Sequence, residues 1–333
     1  MKEAWKFSFL LSLMGLSGCY PAFVFQMEGL EPAKISIPAS VTSITVFSRI
    51  DIDSTSKPAR IESAGKMNFT LDSLMAKEAV LGCVDELIKS PRFEVYDPMV
   101  KRNLAGDFTN PARPLPWNII GEIVGDPPLD AALALESCCY RDTVISLVRD
   151  GWKTYSFLQI LSTYWRLYEL KNNQFTEYQF TDTLTYELWE VEEMIQSSPF
   201  DHFMVIEGMY ETGKKTAHKI APYWIQLERA YFPYGPHDFH KGARYMREGN
   251  WAEAAGIWDL YVDSRNSVEA AKACYNMAVT CELAGEISLA LEWLAKSGQK
   301  GMHPYYINEY RKELVIRAEK NKLLDLQMLQ EGQ

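Results

Sequence analysis

The sequence predicts a mixed-sheet α/β domain, of the α/β or α+β class, followed by an all-helical C-terminal region. Three observations predict this fold. A strand, a helix and a second strand follow one another within residues 41–96, a β-hairpin is centred on residues 171–173, and a repeat of 36 residues begins near residue 239. The hydrophobic fraction of 47% is typical of packed domains rather than of a disordered chain.

The α/β prediction begins with a run of alternating, β-branched residues at 41–47, which is typical of a strand. Residues 71–89 then place apolar side chains three or four positions apart, which gives a helix one apolar face, and Pro91 ends that helix. Residues 93–96 are predicted to form a short second strand. A strand–helix–strand order of this kind is the start of an α/β layer.

The middle of the chain is predicted to contain further strands. Residues 117–124 predict a helix, residues 131–135 a short buried strand and residues 143–148 a separate strand. Lys171, Asn172 and Asn173 lie between two β-like segments, at 162–169 and 174–183, which predicts a hairpin.

Within that hairpin, Trp165 and Arg166 are neighbours and therefore face opposite sides of their strand. The favoured interpretation is a core-facing Trp and an Arg whose charged end reaches solvent, rather than a binding groove. A helix is predicted for residues 204–220, and a strand or linker for residues 223–232.

From residue 236 onwards only helices are predicted, and their residues recur with a shift of 36 positions. Gly at the turn, small residues where two helices cross and large residues between them are typical of a tetratricopeptide repeat, whose period is about 34 residues. The first unit contains Gly242, Tyr245, Gly249, Trp251, Ala254 and Trp258, and the second contains Ala278, Cys281, Gly285, Ile287, Ala290 and Leu294 at the same offsets. Residues 305–328 are predicted to form a closing helix or helix pair.

The N-terminus carries a pattern for export and lipid attachment. Lys2 and Lys6 precede an apolar run at residues 7–16, which is shorter than the roughly 20 residues of a transmembrane helix. The tetrad that ends at Cys19 resembles a bacterial lipobox, in which the Cys receives diacylglycerol and the chain is cut before it. This resemblance implies that lipid on Cys19 anchors the mature protein to a membrane. A buried core helix is the alternative.

These patterns divide the chain into four predicted parts. Residues 1–18 are a lipoprotein signal peptide, and residues 19–40, which contain several prolines, are a tether. Residues 41–235 are the α/β domain, and residues 236–333 are the tetratricopeptide-like helices.

Composition and motifs limit the chemistry. A net charge of −10 without a Lys/Arg cluster argues against nucleic acid as a partner. The chain has no GxSxG, HExxH, P-loop or GxGxxG motif, so we predict no enzyme activity, no cofactor and no metal site. An SxxK match begins at Ser297 without its companion motifs. His237 and His240 could share a helix face and bind zinc, but a helix start with Asp238 as its cap is favoured.

Five cysteines besides Cys19 are predicted to be small buried hydrophobic residues, because none lies in a CxxC pair and an odd number cannot pair completely within one chain. They are Cys83, Cys138, Cys139, Cys274 and Cys281.

The lipobox, the strand at 44–47, the helix end at 86–92, the segment Trp165-Arg166-Leu167-Tyr168 and the repeat at 273–294 together resemble an uncharacterised group of Bacteroidetes lipoproteins. That resemblance implies an α/β N-terminal part and tetratricopeptide-like C-terminal helices. The first part is also similar to the α/β domain of outer-membrane lipoproteins that assist curli secretion or activate peptidoglycan synthases, an analogy of fold alone.

The function expected from these patterns is that of an outer-membrane lipoprotein facing the periplasm, which binds another envelope protein through its repeats and acts as a scaffold. The alternative is a small-molecule binder or hydrolase that uses the strand ends of the α/β domain. Asp51 and Asp53 are its candidate ligand residues, because they follow the first predicted strand, but a solvated loop start is the favoured interpretation of both.

Overall fold

The computed structural model describes residues 22–50, 70–99, 113–149, 152–188 and 198–328. In chain order its elements are β1 (Phe23–Glu31), β2 (Ser43–Ser48), α1 (Thr70–Leu87), β3 (Glu94–Tyr96), α2 (Trp117–Val124), β4 (Ala131–Arg149), β5 (Trp152–Glu169), β6 (Gln174–Leu188), α3 (Ser198–Ile220), β7 (Tyr223–Tyr231), α4 (Phe239–Arg247), α5 (Trp251–Asp259), α6 (Ser267–Leu283), α7 (Ile287–Gln299) and α8 (Pro304–Met328). A mixed α/β region followed by helices confirms the predicted fold class.

The chain forms two compact units. The α/β unit contains Leu30–Trp224 together with residues 323–328, and the helical unit contains residues 22–29 together with Ile225–Lys322. None of the helices in the described residues is long and apolar enough to cross a membrane.

The α/β unit is built on a five-stranded sheet of order β3-β2-β4-β5-β6. Strand β2 is parallel to both β3 and β4, whereas β4, β5 and β6 are antiparallel to one another. Asp130 ties the starts of β2 and β4 together, because one of its carboxylate oxygens accepts hydrogen bonds from the backbone N–H and the hydroxyl of both Thr42 and Ser43, at 2.8–2.9 Å.

Helices α1 and α3 cover one face of this sheet, and α2 covers part of the other. The first core contains Ile44, Leu133 and Trp165, and the second contains Phe47 and Tyr168. Two glycines let α1 and α3 approach closely. A Cβ at Gly82 would lie 2.1 Å from the carbonyl oxygen of Tyr210, and one at Gly213 would lie 2.0 Å from that of Ala79. Any larger residue at either position would separate the two helices.

Strand β4 differs from the prediction of two separate strands. It is one strand of 19 residues, and its register against β5 shifts once, between Leu135 and Ser137. The extra residue at this bulge is Glu136, which interrupts the apolar run and makes the second half look like a new element. Strands β5 and β6 are likewise longer than the predicted hairpin arms and continue the ribbon beyond the core.

The predicted tether at 19–40 also differs from the structure, because residues 23–31 form β1, which pairs with β7. The reason is the apolar alternation within Phe23–Glu31, which gives the strand one inward face that includes Met27. Phe25 packs edge-to-face on Tyr231, with ring centroids 5.8 Å apart.

Five helices complete the helical unit, around a core that includes Phe232, Phe239 and Trp258, each of which is 0% exposed. The Asn276 side chain clamps the chain at Phe232: its amide oxygen accepts from the Phe232 N–H and its amide nitrogen donates to the Phe232 carbonyl, both at 2.8 Å. A buried amide whose groups are paired in this way fixes the position of the chain between β7 and α4.

Candidate functional site

Most of the predicted repeat residues lie inside the helical unit. Ala254, Trp258, Ala278, Ala290 and Leu294 are each 0% exposed. Gly242, Cys281 and Ile287 are buried as well, and Tyr245 and Trp251 are half-buried. These side chains fill the space between the helices, so they build the unit and leave little surface for a partner.

The structure places the two repeat units in register with the shift of 36 positions. Helices α4 and α6 end at Arg247 and Leu283, and α5 and α7 begin at Trp251 and Ile287. Each turn contains a left-handed Gly, with φ of +77° at Gly249 and of +84° at Gly285. Only Gly adopts that conformation without strain, so the same residue type stands at the same offset in both units.

The exposed apolar side chains of the helical unit are prominent on the outer face of α8. Tyr305, Val315 and Ile316 are 64%, 47% and 54% exposed. Tyr305 and Ile316 are eleven residues apart, which is three helical turns, so they lie on the same face. Asn308 and Lys312 lie between them and complete a shallow depression on this helix. This surface is not evident in the sequence, because charged residues alternate with the apolar ones along α8.

A buried network of charged side chains holds the helical unit together. The Glu282 carboxylate is 0% exposed and accepts two hydrogen bonds from Arg229, at 2.7 and 2.8 Å. The Tyr310 hydroxyl and the Arg317 guanidinium donate to the same carboxylate, at 2.8 and 3.2 Å. Glu282 therefore joins β7, α6 and α8 through one side chain.

The predicted ligand residues Asp51 and Asp53, like Cys19, lie outside the described residues. The structure does describe Arg49, which directly follows β2 and points into a second buried cluster. The Glu136 carboxylate lies between two guanidiniums: Arg49 donates to one oxygen at 2.5 Å and Arg166 donates to the other at 2.7 Å. Arg49 also donates to the Arg113 carbonyl at 2.9 Å.

Arg166 is the centre of this cluster, and its predicted position at the surface is wrong, because it is only 2% exposed. It reaches Glu177 as well as Glu136, with a distance of 2.7 Å from Nη2 to Oε1 of Glu177. Burial lowers the pKa of Arg166, but hydrogen bonds with Tyr168 and Glu177 and the charge of Glu136 outweigh burial, so its pKa lies above the ordinary value. Burial raises the pKa of Glu136, against the opposing effect of Arg49 and Arg166.

The charges of this cluster balance, because two guanidiniums face the two carboxylates of Glu136 and Glu177. A balanced cluster has no net charge with which to attract an ionic ligand, and both oxygens of Glu136 are already hydrogen-bonded. The arrangement connects the end of β2 with β4, β5 and β6. It therefore favours a structural role at the strand ends over catalysis or ligand binding.

The structure also describes three further candidates from the sequence, namely Ser297, His237 and the five cysteines. The Ser297 hydroxyl is buried and donates to the Ala271 carbonyl at 2.7 Å, so it is not available as a nucleophile. His237 is exposed, and the described residues contain no group of three His, Cys, Asp or Glu side chains that could hold a metal ion. Of the five cysteines predicted to be buried, Cys139 is exposed, because it lies on the open face of β4.

Comparison with known proteins gives two matches to family models, both of unknown function. The model of one domain of unknown function (DUF8603) matches residues 41–232, and that of another (DUF6340) matches residues 240–316. No curated protein matches the chain. A crystal structure of a neuraminyllactose-binding hemagglutinin homologue from Helicobacter pylori is 11% identical and aligns over 54% of this chain and 83% of its own, with a TM-score of 0.29. A similarity at that level carries no argument about fold or function.

Proposed function

Because the chain belongs to the DUF8603 family, whose function is unknown, we propose its role from its own sequence and geometry: it is a lipid-anchored envelope protein whose helical unit binds another protein. This role keeps the interaction scaffold expected from the sequence but places the contact on α8, because most of the predicted repeat residues are buried. The proposal has two parts, the binding surface and the anchor, and each can be tested separately.

The outer face of α8 carries the proposal. A closing helix in a helical repeat array ordinarily presents a polar outer face, because that face has no further helix to cover it. Here Tyr305, Val315 and Ile316 are about half exposed or more. Exposed apolar residues that share a helix face, with Lys312 and Glu309 beside them, fit the apolar side of an amphipathic helix from a partner protein.

The binding surface can be tested with a photo-crosslinking residue at Asn308, an exposed position within this face. We expect a covalent adduct with one envelope protein in intact cells. The double variant Val315→Glu/Ile316→Glu places two carboxylates in the contact and should reduce the adduct at least tenfold, because burying an unpaired charge is unfavourable.

Ile88→Glu is the matched control, because Ile88 is 63% exposed but belongs to the α/β unit. Its adduct should equal that of the unchanged protein, and circular dichroism should show that all three proteins are folded. An adduct that survives Val315→Glu/Ile316→Glu at full strength would remove α8 as the binding surface.

The anchor is proposed from the lipobox-like tetrad that ends at Cys19. Two or more acyl chains on one Cys hold a protein stably on a membrane, since each buried methylene contributes about 0.8 kcal/mol. Mass spectrometry of the protein purified from membranes should find acylated Cys19 as the first residue, with residues 1–18 removed. An intact Met1, or a Cys19 without lipid, would contradict the anchor but leave the α8 surface untouched.

A further inference from the structure

Strand β6 is an open edge of the sheet. It has 15 residues and is the last strand in the sheet order, and no described strand pairs with its outer side. Its register against β5 runs from Glu169↔Gln174 to Tyr155↔Leu188 without a shift. Unpaired N–H and C=O groups along such an edge are a template for another strand, and proteins usually block them with Pro, Lys or a bulge. Residues 174–188 contain none of these.

The acidic side chains described on this edge are paired with cations, which reduces their repulsion of a second acidic chain. Glu177 and Asp182 are the acidic residues of β6 whose side chains the structure describes. Arg166 pairs with Glu177 at 2.7 Å, and Lys219 pairs with Asp182 at 3.3 Å. The chain as a whole carries a net charge of −10, so most of its surface would disfavour self-association. At β6, by contrast, the carboxylates of Glu177 and Asp182 are each paired with a cation of the same unit.

We propose that β6 pairs antiparallel with β6 of a second copy of this chain, which joins two sheets through a two-fold axis at Thr181. Thr181 is the midpoint of Gln174–Leu188, so this register pairs all 15 residues. A two-fold contact of this kind uses the same surface in both copies and therefore closes as a dimer.

The cross-strand neighbours in this register are compatible. Tyr178 lies opposite Leu184 of the second copy, and Gln179 lies opposite Thr183 of the second copy, which are an aromatic–aliphatic pair and a polar pair. A shift of the axis by one residue to Asp182 would place two aspartates directly opposite each other. Charge and overlap length therefore select the same register.

A cysteine at the axis tests the proposal directly. Residues opposite each other in an antiparallel pair have Cα atoms about 4.5–5.5 Å apart, which is within reach of a disulfide. In a Cys139→Ser background, which removes the exposed native thiol of this sheet, Thr181→Cys should form a disulfide between two copies in oxidised membranes. The product should have twice the mass of the single chain purified from the same membranes.

Thr185→Cys in the same background is the control, since Thr185 is equally exposed on the same face of β6. In the proposed register the two copies of residue 185 are eight positions apart, or about 27 Å, and should not crosslink. Equal crosslinking at both positions, or a Thr181→Cys adduct with a different protein, would refute the β6 dimer.

Charge exchange adds a second test, which asks whether residues 179 and 183 of the two copies face each other. The variant Gln179→Lys/Thr183→Lys places Lys opposite Lys twice and should reduce Thr181→Cys crosslinking at least tenfold. Gln179→Glu/Thr183→Glu should do the same. Co-expression of the two variants should restore the crosslink between unlike chains, because each Lys then faces a Glu. Absence of this rescue, with both chains folded, would count against pairing at β6.

Discussion

Replacement of Arg166 by Met is expected to destabilise the α/β unit by about 3–5 kcal/mol, because it removes one of the two guanidiniums that pair with the buried Glu136 carboxylate. Glu136 is 0% exposed, so water cannot replace the lost guanidinium. Met has a similar length to the buried stem of Arg, so the loss is one of charge and hydrogen bonds rather than of volume. Arg166→Lys keeps the positive charge and should therefore reduce the stability of the α/β unit by less.

The loss of stability caused by Arg166→Met should depend on pH. Burial already raises the pKa of Glu136 in the unchanged protein, and removal of Arg166 raises it further. A carboxyl whose folded pKa lies above its unfolded value of about 4.3 destabilises the fold as the pH rises from the unfolded value through the folded one. The difference between variant and parent should therefore be largest at neutral pH and smaller near pH 4.

Hydrogen exchange of peptides from β4 and β5 is the suitable measurement, because a chain of two units need not unfold in one step. Glu177→Gln is the control: Glu177 is 42% exposed, so its loss should change stability by less than about 1 kcal/mol. The triple variant Arg49→Met/Glu136→Leu/Arg166→Met should recover most of the stability, because no buried charge remains unpaired. Equal destabilisation by Arg166→Met and Glu177→Gln would show that burial of the cluster is unimportant.

Local patterns predicted the elements whose signal lies within a short stretch of sequence. Strand β2 corresponds to the alternation at residues 41–47, and helix α1 corresponds to the apolar face predicted for residues 71–89. The two turn glycines lie between α4 and α5 and between α6 and α7. The length of β4 could have been recognised as well. Arg149 pairs with Trp152, and the two residues between them are Asp150 and Gly151, a dipeptide typical of two-residue hairpin turns.

The buried ion clusters could not be predicted in this way. Arg49, Glu136 and Arg166 are separated by 87 and 30 positions and meet only because β2, β4 and β5 are neighbours in the sheet. In the sequence each looks like an ordinary surface charge. The sequence therefore predicts that Arg166 extends to solvent, whereas the bulge at Glu136 supplies a carboxylate for it inside the unit. Strand neighbours decide the role of such residues, and periodicity carries no information about them.

The second large effect is expected from Glu282→Gln in the helical unit. Gln has the same shape as Glu but no charge, so Arg229, which is 6% exposed, loses its buried counter-ion. Tyr310 and Arg317 also lose a charged acceptor. Removal of one partner from a buried ion pair destabilises by about 3–5 kcal/mol, and the half-exposed Glu313, 3.0 Å from Arg229, offsets only part of that loss.

The expected result is faster hydrogen exchange in peptides of α6, β7 and the first turns of α8, the three elements that meet at Glu282. Glu309→Gln is the matched control on α8, because Glu309 is 50% exposed and its pair with Lys312 is worth little. A second variant, Arg229→Met/Glu282→Leu, removes both charges and should exchange more slowly than Glu282→Gln, because it leaves no unpaired buried charge between these two positions. If these peptides exchanged hydrogen at the same rate in Glu282→Gln and Glu309→Gln, the Glu282 network would not hold the three elements together. The support of the α8 surface would then have to come from the apolar core alone.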